Sequence, residues 1–215
     1  MKKSILKNKD LSQLADQTQL VYERNASQFE RDRPKRLIEK PWLDRFLKLM
    51  PRQSSILDLG CGSGEPIATY LMELGHRVVG LDASENMIGM AKKRCPSGDW
   101  RMGDMRSFDM GESFHGIIGW NSFFHLTRVE QRFVLPNMAK HLKAKGALLL
   151  TVGPVEGEVA GIVGNDPVYH ASLSQIEYTK ILAQNYIEIK SFSVEDENCY
   201  NMTILLAQKI VFASI

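Results

Sequence analysis

Residues 56–66 read ILDLGCGSGEP: a short apolar run, an acid at Asp58, then Gly60, Gly62 and Gly64 within five residues. A strand that ends in such a turn and passes into a helix gives a ligand backbone room at the carboxyl end of a sheet. The dinucleotide fingerprint G-x-G-x-x-G does not fit, because counting from Gly60 it meets Glu65 and counting from Gly62 it meets Ile67. No Gly-Lys-Ser/Thr follows at the spacing of a nucleotide-triphosphate loop. Glu65 at the helix start also repels a diphosphate placed there.

Outward from the loop, apolar strands alternate with helices. The order is strand SSILDLG, helix EPIATYLMEL, strand HRVVGLD, helix SENMIGMAKKR, strands GDWRMGD and FHGIIGW, helix RVEQRFVLPNMAKHL and strand GALLLTVG. This rhythm predicts an α/β fold with a parallel sheet covered by helices on both faces. Residues 1–10 read as a Lys-rich tail, followed by a broken helical pattern at Leu11, Leu14, Leu20, Val21 and Phe29. Pro34 and Pro41 suit first-turn helix positions, and Leu37, Ile38, Trp42, Leu43, Phe46, Leu47 and Met50 supply an apolar helix face. The segment 154–171, PVEGEVAGIVGNDPVYHA, is rich in turn formers and reads as a long lid loop. Ser174 and Glu177 form a capping-box pattern that opens a helix, and the remaining tail reads as a closing antiparallel hairpin. The expected organisation is one domain over 1–215: a helical cap (1–50), a cofactor-binding core (51–153), the lid (154–171) and a C-terminal helix and hairpin (172–215).

Composition narrows the setting. The 27 Lys and Arg against 25 Asp and Glu leave a net charge of +2 and no basic track, so nucleic acid is not the expected partner. Cys61, Cys95 and Cys199 are odd in number and far apart, which predicts neither a disulfide framework nor a metal site and fits a reducing cytoplasm. The basic N-terminus lacks the apolar core of a signal peptide, and no run of about 18 apolar residues is present to span a bilayer. A soluble cytoplasmic chain is expected; the oligomeric state is left open.

The run Asp58-Leu59-Gly60-Cys61-Gly62-Ser63-Gly64 resembles the first motif of class I S-adenosylmethionine-dependent methyltransferases of the bacterial small-molecule type. Leu81-Asp82-Ala83-Ser84, Gly103-Asp104-Met105 and the terminal hairpin extend the resemblance, which runs from about Tyr22 to the end. It implies a Rossmann-like, doubly wound, seven-stranded sheet, mostly parallel with a C-terminal antiparallel hairpin, under an N-terminal helical cap. It also implies S-adenosyl-L-methionine as cofactor, S-adenosyl-L-homocysteine as product and a small-molecule acceptor. Carried over by resemblance, Gly60, Cys61, Gly62 and Gly64 pack on the methionyl part, and Asp58 orients its amino group. Asp82 with Ala83 takes the ribose, a role for which a carboxylate suits vicinal hydroxyls. Asp104 faces the adenine amino group, with Met105 and Met87 along the ring. Tyr22, in the pattern Tyr22-x-x-x-Ala26-x-x-Phe29, lies over the cofactor.

The resemblance implies that strand order reverses between the first and fourth strands, so Trp120, Asn121, Ser122 and His125 border the reacting centre. Trp120 and Asn121 are cofactor candidates. His125 and His170 are candidate general bases, each with a structural hydrogen-bonding role as the alternative. Arg33 or Arg36 is a partner for the methionyl carboxylate, or a surface arginine. Asn121-Ser122-Phe123-Phe124 departs from the Asn/Asp-Pro-Pro-Tyr/Phe sequence of base and glutamine methyltransferases. The neutral stretch after the fourth strand disfavours a metal-dependent catechol enzyme. Two alternatives stand beside the enzyme: a non-catalytic S-adenosylmethionine-binding sensor or partner subunit, and a nicotinamide oxidoreductase.

Overall fold

The computed structural model describes residues 8–211, and side chains from Leu11 onward. A 25-residue helix α1 (Asn8–Asp32) and a short α2 (Lys40–Leu47) precede the first strand. There follow β1 (Ser55–Leu59), α3 (Ile67–Glu73), β2 (Arg77–Asp82), α4 (Glu85–Arg94), β3 (Asp99–Met102), β4 (Phe114–Gly119), α5 (Arg128–His141) and β5 (Leu142–Val152). A hairpin of β6 (Gly157–Val163) and β7 (Asp166–Ser172) leads into α6 (Gln175–Gln184), and β8 (Ile187–Asp196) and β9 (Met202–Lys209) close the chain.

The main sheet has seven strands in the order β3-β2-β1-β4-β5-β9-β8. The first five run parallel, and β9 pairs antiparallel with both β5 and β8. This is a Rossmann-like doubly wound α/β fold, and its strand order reverses at the β1–β4 pair. Two apolar layers sandwich the sheet. Leu57, Leu59, Ile117 and Leu148 meet α5 and α6 on one face, while Ile56, Ile118 and Leu149 meet α2, α3 and α4 on the other. Consecutive strand residues entering opposite cores account for the near-continuous apolar runs in the sequence.

Local chemistry sets the helix boundaries. Thr127 and Glu130 form a reciprocal capping box that starts α5. At α6 the Ser174 hydroxyl accepts the Glu177 amide, but the Glu177 carboxylate turns to Arg132 instead of closing the box. Pro41 lies in the first turn of α2, whereas Pro34 lies between helices. Of the Lys-rich tail expected over 1–10, residues 1–7 lie outside the described residues, and α1 already runs from Asn8.

The segment expected to be a lid loop is instead ordered: β6 and β7 form a two-stranded antiparallel sheet from Gly157↔Ser172 to Val163↔Asp166. Its turn formers mark a hairpin turn, with Gly164 at φ +60. Alternation was hidden because Glu158, Val159 and Ala160 are all exposed, and burial in β6 is confined to its far end at Val163, against α1. The broken apolar pattern of α1 also has a physical reason. The helix packs on β7, β6 and α4, and among its described side chains only Leu11, Thr18, Val21 and Ala26 are buried.

Candidate functional site

A cleft opens at the carboxyl ends of β1, β2 and β4, where the strand order reverses, and α1 lies along it. The glycine loop forms one wall. Gly60, at φ +75, passes so close to Ser122 that a Cβ would sit 2.3 Å from that residue's Cβ. The Ser122 hydroxyl donates to the Leu59 carbonyl at 2.6 Å, tying the end of β4 to the end of β1. Gly62, at φ +55, faces open space, the nearest atom to a Cβ being Met87 Sδ at 3.9 Å. These positive φ values are accessible to glycine at little cost.

Asp82 lines the cleft at the end of β2, and both of its carboxylate oxygens accept backbone amides, from Gly62 at 2.8 Å and Ser84 at 2.9 Å. Burial raises its pKa above the ordinary carboxylate value, against these hydrogen bonds. Ser84 then caps α4, its hydroxyl accepting the Met87 amide. Asp104 lines the cleft after β3 and accepts from Arg106 Nε at 2.8 and 2.9 Å. Met87, Met105 and Ala83 line the cavity between these two acids.

Helix α1 is held over the cleft by polar contacts along its length. Gln19 Nε2 donates to the Ala83 carbonyl at 3.0 Å, and the Glu23 carboxylate accepts from the Ser84 hydroxyl at 2.5 Å and from Asn86 Nδ2 at 2.6 Å. Asp166 on β7 accepts from Arg24 Nε at 2.9 Å and Asn25 Nδ2 at 2.7 Å. Glu30 accepts from the Ser63 hydroxyl and from Arg94 Nη2, which closes the far end.

Tyr22 and His125 meet in the cleft with the phenol oxygen 2.8 Å from Nε2. His125 Nδ1 lies 2.8 Å from the Tyr169 carbonyl. A carbonyl only accepts, so Nδ1 carries the proton and Nε2 accepts from the Tyr22 hydroxyl. Burial, aided by the neighbouring His170, pushes the pKa of His125 down to about 3, and burial raises that of the Tyr22 phenol. A general base works best with a pKa near the operating pH. In this structure His125 accepts the Tyr22 hydroxyl, a geometry that matches the structural one of its two expected roles.

The cleft gathers Tyr22, Gly60, Gly62, Asp82, Ala83, Met87, Asp104, Met105, Trp120, Asn121 and His125. Four expected residues lie outside its walls. Cys61 points into the core beside Trp100, and a Cβ on Gly64 would meet that same indole at 2.8 Å. His170 stacks behind His125 with centroids 4.9 Å apart, against Phe124, and burial lowers its pKa to about 4. Asp58 is buried under the loop with no hydrogen-bond partner among the described residues, and burial pushes its pKa up to about 7 despite Arg33.

Arg33 lines the cleft, 3.7 Å from the buried Glu39 carboxylate, whereas Arg36 is exposed. Trp120 is buried, and its indole N–H has no partner among the described residues. Sequence reasoning missed Ala15, Thr18, Gln19 and Arg106, which also line the cavity. The first three share a helix face with Tyr22 at three- and four-residue spacing, a signal that was present but polar. Among the described residues no cluster of three or more His, Cys, Asp or Glu is placed to hold a metal ion, and no helix is long and apolar enough to cross a membrane.

Residues 56–146 match the family model of a methyltransferase domain. Over 102 residues the chain is 32% identical to a dTDP-3-amino-3,4,6-trideoxy-alpha-D-glucopyranose N,N-dimethyltransferase of Streptomyces venezuelae, covering 46% of this chain and 43% of that one. Over 103 residues it is 33% identical to a dTDP-4-amino-2,3,4,6-tetradeoxy-D-glucose N,N-dimethyltransferase of Saccharopolyspora spinosa, covering 47% and 41%. The chain thus spans less than half the length of these curated relatives. In fold it is similar to the SAM-bound amino pentose methyltransferase of Micromonospora echinaspora, with a TM-score of 0.68 at 20% identity over 86% of this chain and 96% of that one.

Proposed function

From the match of residues 56–146 to the family model of a methyltransferase domain, we propose that this chain transfers the methyl group of S-adenosylmethionine to the nitrogen of a small amine acceptor. The observation that carries this reading is the convergence, in one cleft, of the glycine loop, two strand-end acids and the Tyr22–His125 pair.

The residues present suit the cofactor. Trp120 offers a buried indole N–H without a partner among the described residues, and Arg33 offers a guanidinium in the wall of the same cleft; both suit a carboxylate. Asp58, a buried carboxyl without a hydrogen-bond partner, suits an ammonium group. We assign the ribose to Asp82 and the adenine to Asp104, Met87 and Met105. The bound cofactor supplies a sulfonium-activated methyl group with a neutral thioether as leaving group.

Asn121 and Ser122 close the cleft at the acceptor end, and Tyr22 offers its phenol oxygen as acceptor for the N–H of an incoming amine. His125 holds that phenol in one rotamer, and α1 with the β6–β7 hairpin excludes water. Most of the acceleration in this scheme is positional. The amine acceptor is supported by the amino-sugar relatives and by a site wall free of metal-ligand clusters among the described residues. The slight net charge argues against a nucleic-acid substrate, and three free cysteines fit a cytoplasmic location.

The test is incubation of the protein with isotopically labelled S-adenosylmethionine and a metabolite extract, alongside a panel of amino sugars and small amines. A labelled N-methyl product supports the reading. Tight binding of S-adenosylhomocysteine with no labelled product in either set makes the protein a cofactor sensor or partner subunit instead.

A further inference from the structure

The two histidines near the acceptor end belong to different elements: His125 to the 3₁₀ turn after β4, and His170 to β7. Their rings touch, yet no hydrogen bond joins them. What connects their backbones lies one residue further along each segment. Gln131, fully buried in the first turns of α5, donates from Nε2 to the Leu126 carbonyl at 3.0 Å and to the Ala171 carbonyl at 2.9 Å. Leu126 follows His125, and Ala171 follows His170. The carboxamide oxygen is also engaged, accepting the Tyr178 hydroxyl at 2.7 Å. Tyr178 is fully buried as well, and its oxygen accepts the Leu173 amide at 3.2 Å.

The donor count explains the residue type. Two buried carbonyls need two N–H donors from one side chain, and a carboxamide supplies them while offering an oxygen to a third group. A carboxylate supplies none, and an apolar residue leaves both carbonyls unpaired in the core. Without the phenol of Tyr178 to receive, the amide loses the contact that fixes which of its ends faces the carbonyls.

We propose that Gln131, oriented by Tyr178, is a positioning residue that sets the spacing between the turn carrying His125 and the hairpin strand carrying His170, and so aims Tyr22 at the acceptor. The consequence for catalysis rests on the methyltransferase reading; the positioning itself does not. Both residues lie outside the cofactor half of the cleft, so their loss separates ring geometry from cofactor affinity.

Three variants test this: Gln131→Met, Tyr178→Phe, and Asn137→Ala as control. Asn137 donates to the Phe108 carbonyl from the same helix, away from both histidines. The decisive readout is the side-chain nitrogen NMR spectrum of His125 and His170 between about pH 5 and 8, where an ordinary histidine titrates. In the parent, His125 stays in the single Nδ1–H tautomer throughout. In both network variants it becomes a tautomer mixture that titrates in that range, while S-adenosylhomocysteine affinity stays within about twofold of the parent and kcat falls more than KM rises. Asn137→Ala leaves both histidine spectra unchanged. Unchanged spectra in the folded network variants, or the same change in Asn137→Ala, overturn the proposal. If Gln131→Met does not fold, Tyr178→Phe decides alone. Altered spectra in a protein that methylates no amine uphold the positioning and refute the methyl-transfer reading.

Discussion

Asp82 Oδ2 accepts the Gly62 amide at 2.8 Å, so the carboxylate that lines the cleft also clamps the glycine loop above it. Asp82→Ala removes the acceptor of two backbone amides as well as the proposed ribose contact. It is expected to weaken S-adenosylhomocysteine binding by about 1–3 kcal/mol, the range for losing a charged hydrogen-bond partner, and to lower the unfolding temperature. Asp82→Asn keeps one acceptor and recovers most of the stability but less of the affinity. Titration calorimetry beside thermal unfolding distinguishes the two; unchanged affinity in both variants removes Asp82 from the ribose role.

Asp58 links stability to pH, and binding as well if it takes the proposed ammonium contact. Its pKa of about 7 in the fold, against an ordinary 3.8, means that the folded chain keeps a proton the unfolded chain has released. Folding stability from this group therefore falls as pH rises from about 4 to 7 and is level above that. Subtracting the urea unfolding profile of Asp58→Asn from that of the parent isolates the contribution, since Glu39, also raised by burial, is common to both. A ligand ammonium favours the ionised carboxylate, so cofactor affinity is expected to climb with pH up to about 7, at most about tenfold per unit. A flat affinity profile would place the ammonium elsewhere.

Tyr22→Phe deletes the donor to His125 Nε2 and keeps the ring. A stability loss of about 1 kcal/mol is expected, the usual contribution of one buried hydrogen bond. Because the imidazole is a poor base at a pKa of about 3, turnover with the identified acceptor should drop by less than the roughly hundredfold that marks general base catalysis. A larger drop, with a new limb in the pH–rate profile, would return His125 to the role of base.

Asp166→Ala releases Arg24 and Asn25 and with them the charged tie between α1 and the hairpin, leaving the Thr18–Tyr169 hydrogen bond and the apolar contacts in place. The ion pair is largely exposed and solvent-screened, so global stability should change little. Local opening is more sensitive, and amide exchange should rise along residues 11–28 and in β6 and β7 while the main sheet stays protected. Uniform exchange across the chain would mean that helix and hairpin do not share this latch.

The parallel sheet was legible because β1, β2 and β4 are buried on both faces, which leaves near-continuous apolar runs. The ends of those strands were legible too, since Asp82 and Asp104 are acids placed where an apolar strand stops. The hairpin was not: Val159 and Ile162 stand exposed among glycines, and turn formers dominate its composition. The resemblance put Tyr22 over the cleft, but not the helix face ahead of it, because that face is partly polar: Thr18 and Gln19 look like solvated residues until Ala83 and Tyr169 are seen beneath them. Gly64 was assigned to the ligand by its place in the motif, whereas its neighbour is an indole.

That indole has a wider consequence. A Cβ at Gly64, Gly80 or Gly98 would lie 2.8, 2.5 or 2.6 Å from atoms of Trp100. One bulky side chain thus dictates three glycines drawn from three separate loops and strands, and part of what reads as a ligand signature is a record of its size. Their tolerance of a side chain then differs: alanine at 98 is admitted only once residue 100 has shrunk, position 80 must in addition clear Cys61 Sγ at 2.7 Å, and position 64, at φ +79, favours glycine whatever residue 100 becomes.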